Sequence, residues 1–490
     1  MSKPNPAVRV EKDSMGRMDV PGDVLYGAST QRAVLNFPVS GRPVPFAIIA
    51  AYAALKAACA AANQDLGLLD ALRADAIGKA CARIESGLTD HGGWARHFPV
   101  DIYQTGSGTS TNMNVNEVIA NLVCIDRDAP IGSSKDPKYL AAGGVHPNDH
   151  VNMGQSSNDT FPTAMHVSAA VAISADLRPA VRQLAESLQA KASEWDDIVK
   201  IGRTHLQDAT PIRLGQEFSG YASQLRHGLR RLDTALESLT ELALGGTAVG
   251  TGINTHKQFG AKVADRLATH FASADRGGPA FREAENHFEA QHAKDAIVET
   301  SAHLRTIAVS LSKIAGDIRL MGMGPRCGLG ELRLPAIQPG SSIMPGKVNP
   351  VICESMVMVC CRVIGNDAAI VTGGLGGVGS LLELNVAMPM MAASLLESIE
   401  ILAGACRMFR TRLIDPLEPD KERCKELIEQ SLAMCTSLAP VIGYDRAAAL
   451  AKEAFATGKT VRALAHEQEL LPKAELDRLL DPRGMTEPLA

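Results

Sequence analysis

Aromatic residues are scarce, with 2 Trp, 6 Tyr and 11 Phe making up 4% of 490 residues. Alanine and leucine fill the core in their place. Both are strong helix formers, whereas strands favour aromatic and β-branched residues, so long helices are expected over sheets. Basic clusters are also missing. With a net charge of -5 and no concentrated Lys or Arg, the chain lacks the footprint that nucleic acid requires. The 10 cysteines contain no C-x-x-C, so they read as reduced, mostly buried thiols and not as a disulfide frame or a zinc site. The opening MSKPNPAVRVEKD has no apolar h-region, so no secretory signal is expected. The longest apolar stretch, Phe46 to Ala62, carries Tyr52 and Lys56 and reads as too short and too weakly apolar to span a bilayer. A soluble cytoplasmic protein with no membrane partner is expected.

What is present is ample core material, 46% hydrophobic against 21% charged, in a chain too long for one simple core. Residues up to about 45 read as irregular, broken by Pro4, Pro6, Pro21, Pro38, Pro43 and Pro45. Helices are predicted over 46–64, 68–87 and 111–123, the last behind a Thr/Ser-rich start suited to capping. From 163 onward the helical signal is long. Leu177, Val181, Leu184 and Leu188 share a face, as do Leu225, Leu229, Leu232, Leu236 and Leu239, and Leu304, Leu311 and Ile318 with Ile307 and Ile314. Such stripes are packing and carry no chemistry. Long helices of this kind bury their faces only against one another, so an extended bundle follows, with enough apolar width to predict a homo-oligomer. Pro416 and Pro419 then introduce shorter helices, about 421–436, 445–457 and 460–469. The division expected is a mixed, mostly helical domain over 1–146, a long-helix bundle over 147–414 and a small helical domain over 415–490.

Four polar clusters interrupt this pattern. One is Gln104-Thr105-Gly106-Ser107-Gly108-Thr109, followed by Asn112, Asn114 and Asn116. Another is His146-Pro147-Asn148-Asp149, leading to Gln155-Ser156-Ser157-Asn158-Asp159. A third is Gly202-Arg203-Thr204-His205-Leu206-Gln207-Asp208. The fourth, GSSIMPGKVNP from Gly340 to Pro350, is a loop by its glycines and prolines, and Glu354 follows it. Singly, each also fits capping boxes and Asx turns. In the last, Ser341, Ser342, Lys347 and Asn349 together supply hydroxyls, a cation and an amide suited to gripping a small carboxylate.

Three other patterns carry no site. Gly374-Leu375-Gly376-Gly377-Val378-Gly379 fits G-x-G-x-x-G but lies in a helical setting without a βαβ unit. Lys347 precedes Val348 and is not a Walker A lysine. His287 and His292 lie five apart, the wrong step for two ligands on one helix face, so no metal is implied.

Taken together and in this order, the four clusters resemble the class II fumarases of the fumarase/aspartase superfamily, and the resemblance runs from about residue 8 to about 487. It implies a mainly α, three-domain fold whose long-helix bundle assembles into a homotetramer with active sites shared between subunits. It implies reversible anti hydration of fumarate to (S)-malate, a hydro-lyase step of the tricarboxylic acid cycle, with no cofactor. Removing a proton beside a carboxylate pushes charge onto that carboxylate as an aci-carboxylate, so such a site needs donors, a cation and a base. By the resemblance Ser341 is the base, and His205 paired with Glu354 serves the leaving water. Lys347 and Asn349 receive the charge, while Ser107, Thr109, Ser156, Ser157, Asn158 and Thr204 hold the dicarboxylate. His146, Asn148 and Asp149 look like a second dicarboxylate contact at the site mouth, although Gly143 and Gly144 precede it where some relatives carry basic residues. The Gly-Val-Gly-Ser-Leu-Leu stretch before Glu383–Val386 departs from the family's usual turn.

Aspartate ammonia-lyase is the nearest rival. Aspartases tend to carry Ser-Thr where this chain has Ser156-Ser157, and alanine in place of Gly346. A silent crystallin-like homologue is the rival of another class, and the intact Ser341, Lys347, Asn349 and His205 set speaks against it.

Overall fold

The computed structural model describes residues 8–272 and 278–488, so Pro4 and Pro6 lie outside the described residues. Among the described residues the fold is helical, and its strands form only two-stranded ribbons. The stretch up to 45 is more regular than its prolines suggest. Val8–Asp13 and Gly16–Pro21 pair antiparallel, and a helix follows over Ala28–Asn36. Charged side chains organise this entry. Arg9 donates to the carbonyls of Pro21 and Val24, both at 2.7 Å, and to that of Tyr26. The Glu117 carboxylate accepts from the amides of Gly27, Ser29 and Thr30 at 2.9, 2.9 and 3.1 Å, supplying the cap that the helix's own sequence lacks.

The helices expected near 46, 68 and 111 run over Phe46–Asp65, Ala71–Glu85 and Thr109–Asp126. Asp70 sets the second start by accepting from Arg73 N at 3.0 Å. Downstream lie the long helices Leu214–Leu239, Asp295–Met321, Val351–Gly374 and Met388–Phe409. Their stripes are core: Leu225, Leu232, Leu239, Leu304, Leu311 and Ile318 are buried, while Leu229 and Leu236 are half-buried. The helical run from 163 is interrupted by a ribbon, Val199–Thr204 paired with Gln207–Arg213. Near the carboxyl end the first short helix stops at Gln430, because Ser431 is extended and its hydroxyl opens a new 3-10 turn by accepting from Ala433 N at 3.2 Å. Tyr444–Thr457 and Val461–Glu467 follow as expected, and Lys473–Leu479 adds a helix the sequence pattern does not announce.

The chain forms two compact units. The first holds residues up to 179 with 230–306 and 362–402. Its helix Phe46–Asp65 packs on Ala71–Glu85, Ser157–Ala172 and Phe259–His270. Tyr52 meets Phe161 edge-on, ring centres 6.0 Å apart. The second holds 180–229, 307–361 and 403–490. There Trp195, Phe218 and Tyr221 stack edge to face, and Ile428, Leu438, Leu450, Leu464 and Leu480 form a cluster around the short C-terminal helices.

Three helices, Phe46–Asp65, Val351–Gly374 and Met388–Ile414, are long and apolar enough to cross a membrane by length and composition. The first runs past the Ala62 limit read from sequence to reach 20 residues.

Candidate functional site

In the first unit, two helix starts meet through their hydroxyls. Thr109 and Ser157 each open a helix. Thr109 Oγ1 lies 2.8 Å from Ser107 Oγ and 2.7 Å from Ser157 Oγ, so three of the expected binding residues form one chain of hydroxyls. Asn158 sits beside them, its Nδ2 donating to Ala248 O at 2.8 Å. Ser156 is the helix cap, with Oγ accepting from Asn158 N at 3.2 Å. Two glycines let the backbone come this close. A Cβ on Gly106 would sit 1.7 Å from Val386 O, in the Glu383–Val386 string, and one on Gly108, at φ +74, would sit 1.9 Å from the Phe161 ring.

Behind this face is a buried polar cage. Lys56, fully buried in the Phe46–Asp65 helix, donates to Asn112 Oδ1 at 2.7 Å, Gln155 Oε1 at 2.8 Å and Asn152 Oδ1 at 3.0 Å. Burial pushes its pKa down to about 8, with Cys59, Asp159 and Cys81 opposing. The equally buried Asp159 accepts from Ser156 N at 2.9 Å, Thr247 N at 2.9 Å and Gly245 N at 3.2 Å, tying the 245–247 loop to the helix start. Burial raises its pKa to about 7 against those three amides and the Lys56 charge. Asn112 and Gln155 stand inside the recognised clusters, but Lys56 was legible only as the lone lysine in an alanine-rich helix.

The His146 turn is self-contained. His146 Nδ1 accepts from Asn148 N at 3.2 Å and Asp149 N at 3.1 Å, so that nitrogen carries no proton and the Asp149 carboxylate 3.3 Å away makes no ion pair in this form. Burial lowers the His146 pKa in agreement, with Asp149 pulling the other way. Asn148 and Asp149 are exposed.

In the second unit, Thr204 ends one strand of the ribbon and Gln207 starts the other, which puts His205 and Leu206 at its two-residue tip. Both are left-handed, at φ +57 and +59, a geometry that hairpins usually give to Asn-Gly. Leu206 is 74% exposed, so no packing compensates its strain. The ribbon is anchored from below. The fully buried Glu331 receives Arg203 Nη1 on both carboxylate oxygens at 2.9 Å and Lys200 Nζ at 3.4 Å, and Lys200 also reaches Glu217 at 3.2 Å.

The Gly340–Pro350 loop closes on itself. Gly340 N donates to Lys347 O at 2.9 Å and Asn349 Nδ2 donates to Gly340 O at 2.7 Å. Ser341 Oγ accepts from Met344 N at 3.0 Å and Ile343 N at 3.2 Å, so two amides already point at the oxygen. Ile343 is 83% exposed and Lys347 is exposed. Glu354 lies in the first turn of the Val351–Gly374 helix, also exposed. Among the described residues of one chain, His205 and Glu354 are not bonded to each other, and Lys347 forms no ion pair.

A donor-rich hydroxyl face, a histidine on a strained tip and a serine under two amides are parts that suit carbanion chemistry beside a carboxylate. Comparison with known proteins agrees. Residues 16–365 match the Lyase family model and residues 434–487 match the Fumarase C C-terminus model. The chain is 52% identical to a class II fumarate hydratase of Corynebacterium glutamicum, covering 97% of this chain and 96% of that one. It is 50% identical to one of Mycobacterium tuberculosis, with the same two coverages. Among solved structures, class II fumarase from Schistosoma mansoni superposes with a TM-score of 0.90 at 39% identity, covering 98% of this chain and all of that one. A fumarate lyase:delta crystallin from Brucella melitensis, bound to cobalt, superposes with a TM-score of 0.89 at 41% identity. The chain belongs to the class II fumarate hydratase family.

Proposed function

We propose that this protein interconverts fumarate and (S)-malate by anti addition of water. The observation that carries the reading is Ser341, whose Oγ already accepts two loop amides. An alkoxide there is stabilised as it forms, which is what a serine base requires. Running from malate, Ser341 takes the carbon-bound proton and the electron pair moves onto the neighbouring carboxylate. Lys347 and Asn349 stabilise that aci-carboxylate, while Ser107, Thr109, Ser157, Asn158 and Thr204 hold the substrate through neutral donors. His205, oriented by Glu354, delivers a proton through water to the departing hydroxide. Ser156 serves by shaping the helix start. Exposed Asn148 and Asp149, with His146, form the outer contact at the mouth.

The working form in this reading is a homotetramer in which patches from different copies converge. Exposed Val309, Met358 and Ile364 on the long helices support it, as does the lack of a bond between His205 and Glu354 among the described residues of one chain. The ten cysteines, all free thiols, support a cytoplasmic setting. Mixing pure protein with fumarate and following the ultraviolet absorbance of the double bond, with and without ammonia, tests the function. Loss without ammonia is expected, and loss only with ammonia would assign the chain to the ammonia-lyases. Sedimentation as a compact monomer at micromolar concentration would refute the assembly.

A further inference from the structure

The Lys56 cage holds a cation whose direct contacts are neutral, with the buried Asp159 acting on its charge only from beyond contact distance. Its three ammonium protons meet three side-chain carbonyls, from Asn112, Asn152 and Gln155, and no carboxylate pairs with it among the described residues. The amides are held carbonyl-inward. Asn112 Nδ2 donates to Asn152 Oδ1 at 3.1 Å, Asn152 Nδ2 to Gln155 O at 3.1 Å, and Gln155 Nε2 to the carbonyls of Val151 and Met153, both at 3.1 Å. The cage therefore matches an ammonium donor for donor. The nearby acid, Asp159, is committed to three backbone amides.

A buried charge with no direct ion pair is costly, and the more distant Asp159 offsets that only in part here. The cage lies directly behind the hydroxyl chain. Asn112 is one turn past Thr109 in the same helix, and Gln155 stands two residues before Ser157. The first turns of both helices meet at the Thr109–Ser157 hydroxyl contact. We propose that Lys56 is the buried counter-charge of the dicarboxylate site, a positioning residue that touches no substrate yet sets the affinity of the hydroxyl face for a doubly charged ligand. The hydroxyls then recognise shape, while the charge sits out of reach of the proton being moved.

The inference rests on the dicarboxylate reading, which wild-type turnover of fumarate tests by itself. Ligand-charge dependence, which that reading leaves open, tests the inference. Calorimetric binding of succinate, a dianion, is compared with that of its monoamide succinamate, a monoanion, in wild type, Lys56→Gln and Asn152→Asp. Lys56→Gln removes the charge. Asn152→Asp keeps the lysine, preserves size and adds a contacting anion, so it remains informative where the first variant fails to fold. Across roughly 10 Å at an effective permittivity near 20, one charge is worth about tenfold in affinity per ligand charge. Succinate should therefore weaken roughly a hundredfold and succinamate about tenfold in both variants, with the kinetic loss in KM more than in kcat. Equal losses for the two ligands, or unchanged succinate affinity in a folded variant, would overturn the assignment.

Discussion

Replacing Glu331 by alanine should destabilise the protein and disable the His205 tip together. The carboxylate is fully buried and is shared by Arg203 and Lys200, and Lys200 is itself only 2% exposed. Among the described residues, alanine leaves Lys200 with Glu217, 3.2 Å away, and Arg203 with no carboxylate. Stripping a partner from a buried pair costs about 3–5 kcal/mol. Glu217 offsets part of that, and the lost side-chain volume adds about 1 kcal/mol, so about 4 kcal/mol is expected. The main-chain bonds of Glu331, to Met321 O and from Asp420 N, do not depend on the side chain and should persist.

The functional consequence follows from the tip's backbone. His205 and Leu206, both left-handed, store about 1 kcal/mol or more each, which persists only while the strands beneath are held. With the anchor gone the tip relaxes and His205 leaves its position. Urea midpoints at one fixed protein concentration, together with kcat on fumarate, measure both effects. Leu206→Gly separates them, because glycine removes the strain without touching the anchor. It should raise stability by about 1 kcal/mol while lowering kcat. An alanine variant at 331 within about 1 kcal/mol of wild type, or a glycine at 206 that leaves stability unchanged, would refute the reasoning.

Three further outcomes are expected. Ser341→Ala should cut kcat by roughly 10²–10⁴ while succinate still binds by calorimetry, and near-normal turnover would remove Ser341 as the base. Glu117→Ala strips the acceptor from the amides of Gly27, Ser29 and Thr30 and from the Thr30 hydroxyl, so thermal unfolding should show a loss of about 3 kcal/mol. Lys294 is buried with its pKa pushed down to about 7 by burial, against an ordinary 10.5. At this site the unfolded chain holds more protons between those values, so Lys294 contributes a climb in stability of about 2 kcal/mol from pH 7 to 9, set against the buried cysteine thiols, whose raised pKa works the other way. Lys294→Met should flatten that climb in urea midpoints at pH 7 and 9, leaving the smaller share from Lys56, and an unchanged slope would exclude Lys294 as its source.

The helices were legible because their stripes obey one rule, apolar residues inward at helical spacing, and Leu304, Leu311 and Ile318 obey it without exception. The two longer hairpins were not, because they invert the matching rule for strands. In Val8–Asp13 the valines at 8 and 10 are 59% and 61% exposed, while Glu11 is 8% exposed and Arg9 reaches three carbonyls. In Val199–Thr204, Lys200 points inward to Glu331. Period-two alternation of polarity cannot reveal a strand whose buried face is charged. The chemical motifs were legible for another reason. Hydroxyls, amides and one exposed lysine recur where packing would not ask for them, so their types alone mark the site.

What composition could not announce is the support beneath that site, and physics explains why. A base on a loop and a histidine on a hairpin tip need exposed, adaptable positions, yet each must return to one geometry. The chain meets both needs by placing rule-breaking residues beneath the site or beside it. Lys56 is a charge in an apolar helix, Glu331 a carboxylate in the core, and Leu206 a bulky residue in a left-handed turn. Each is unfavourable alone, and Lys56 and Glu331 are held by partners distant in sequence, so no local window contains both halves of the reason. Local rules should therefore fail at the residues that support catalysis and hold at those that only fill space. If this is right, replacing these three residues by types their local sequence prefers should preserve or improve folding in at least the turn, while every such exchange lowers turnover.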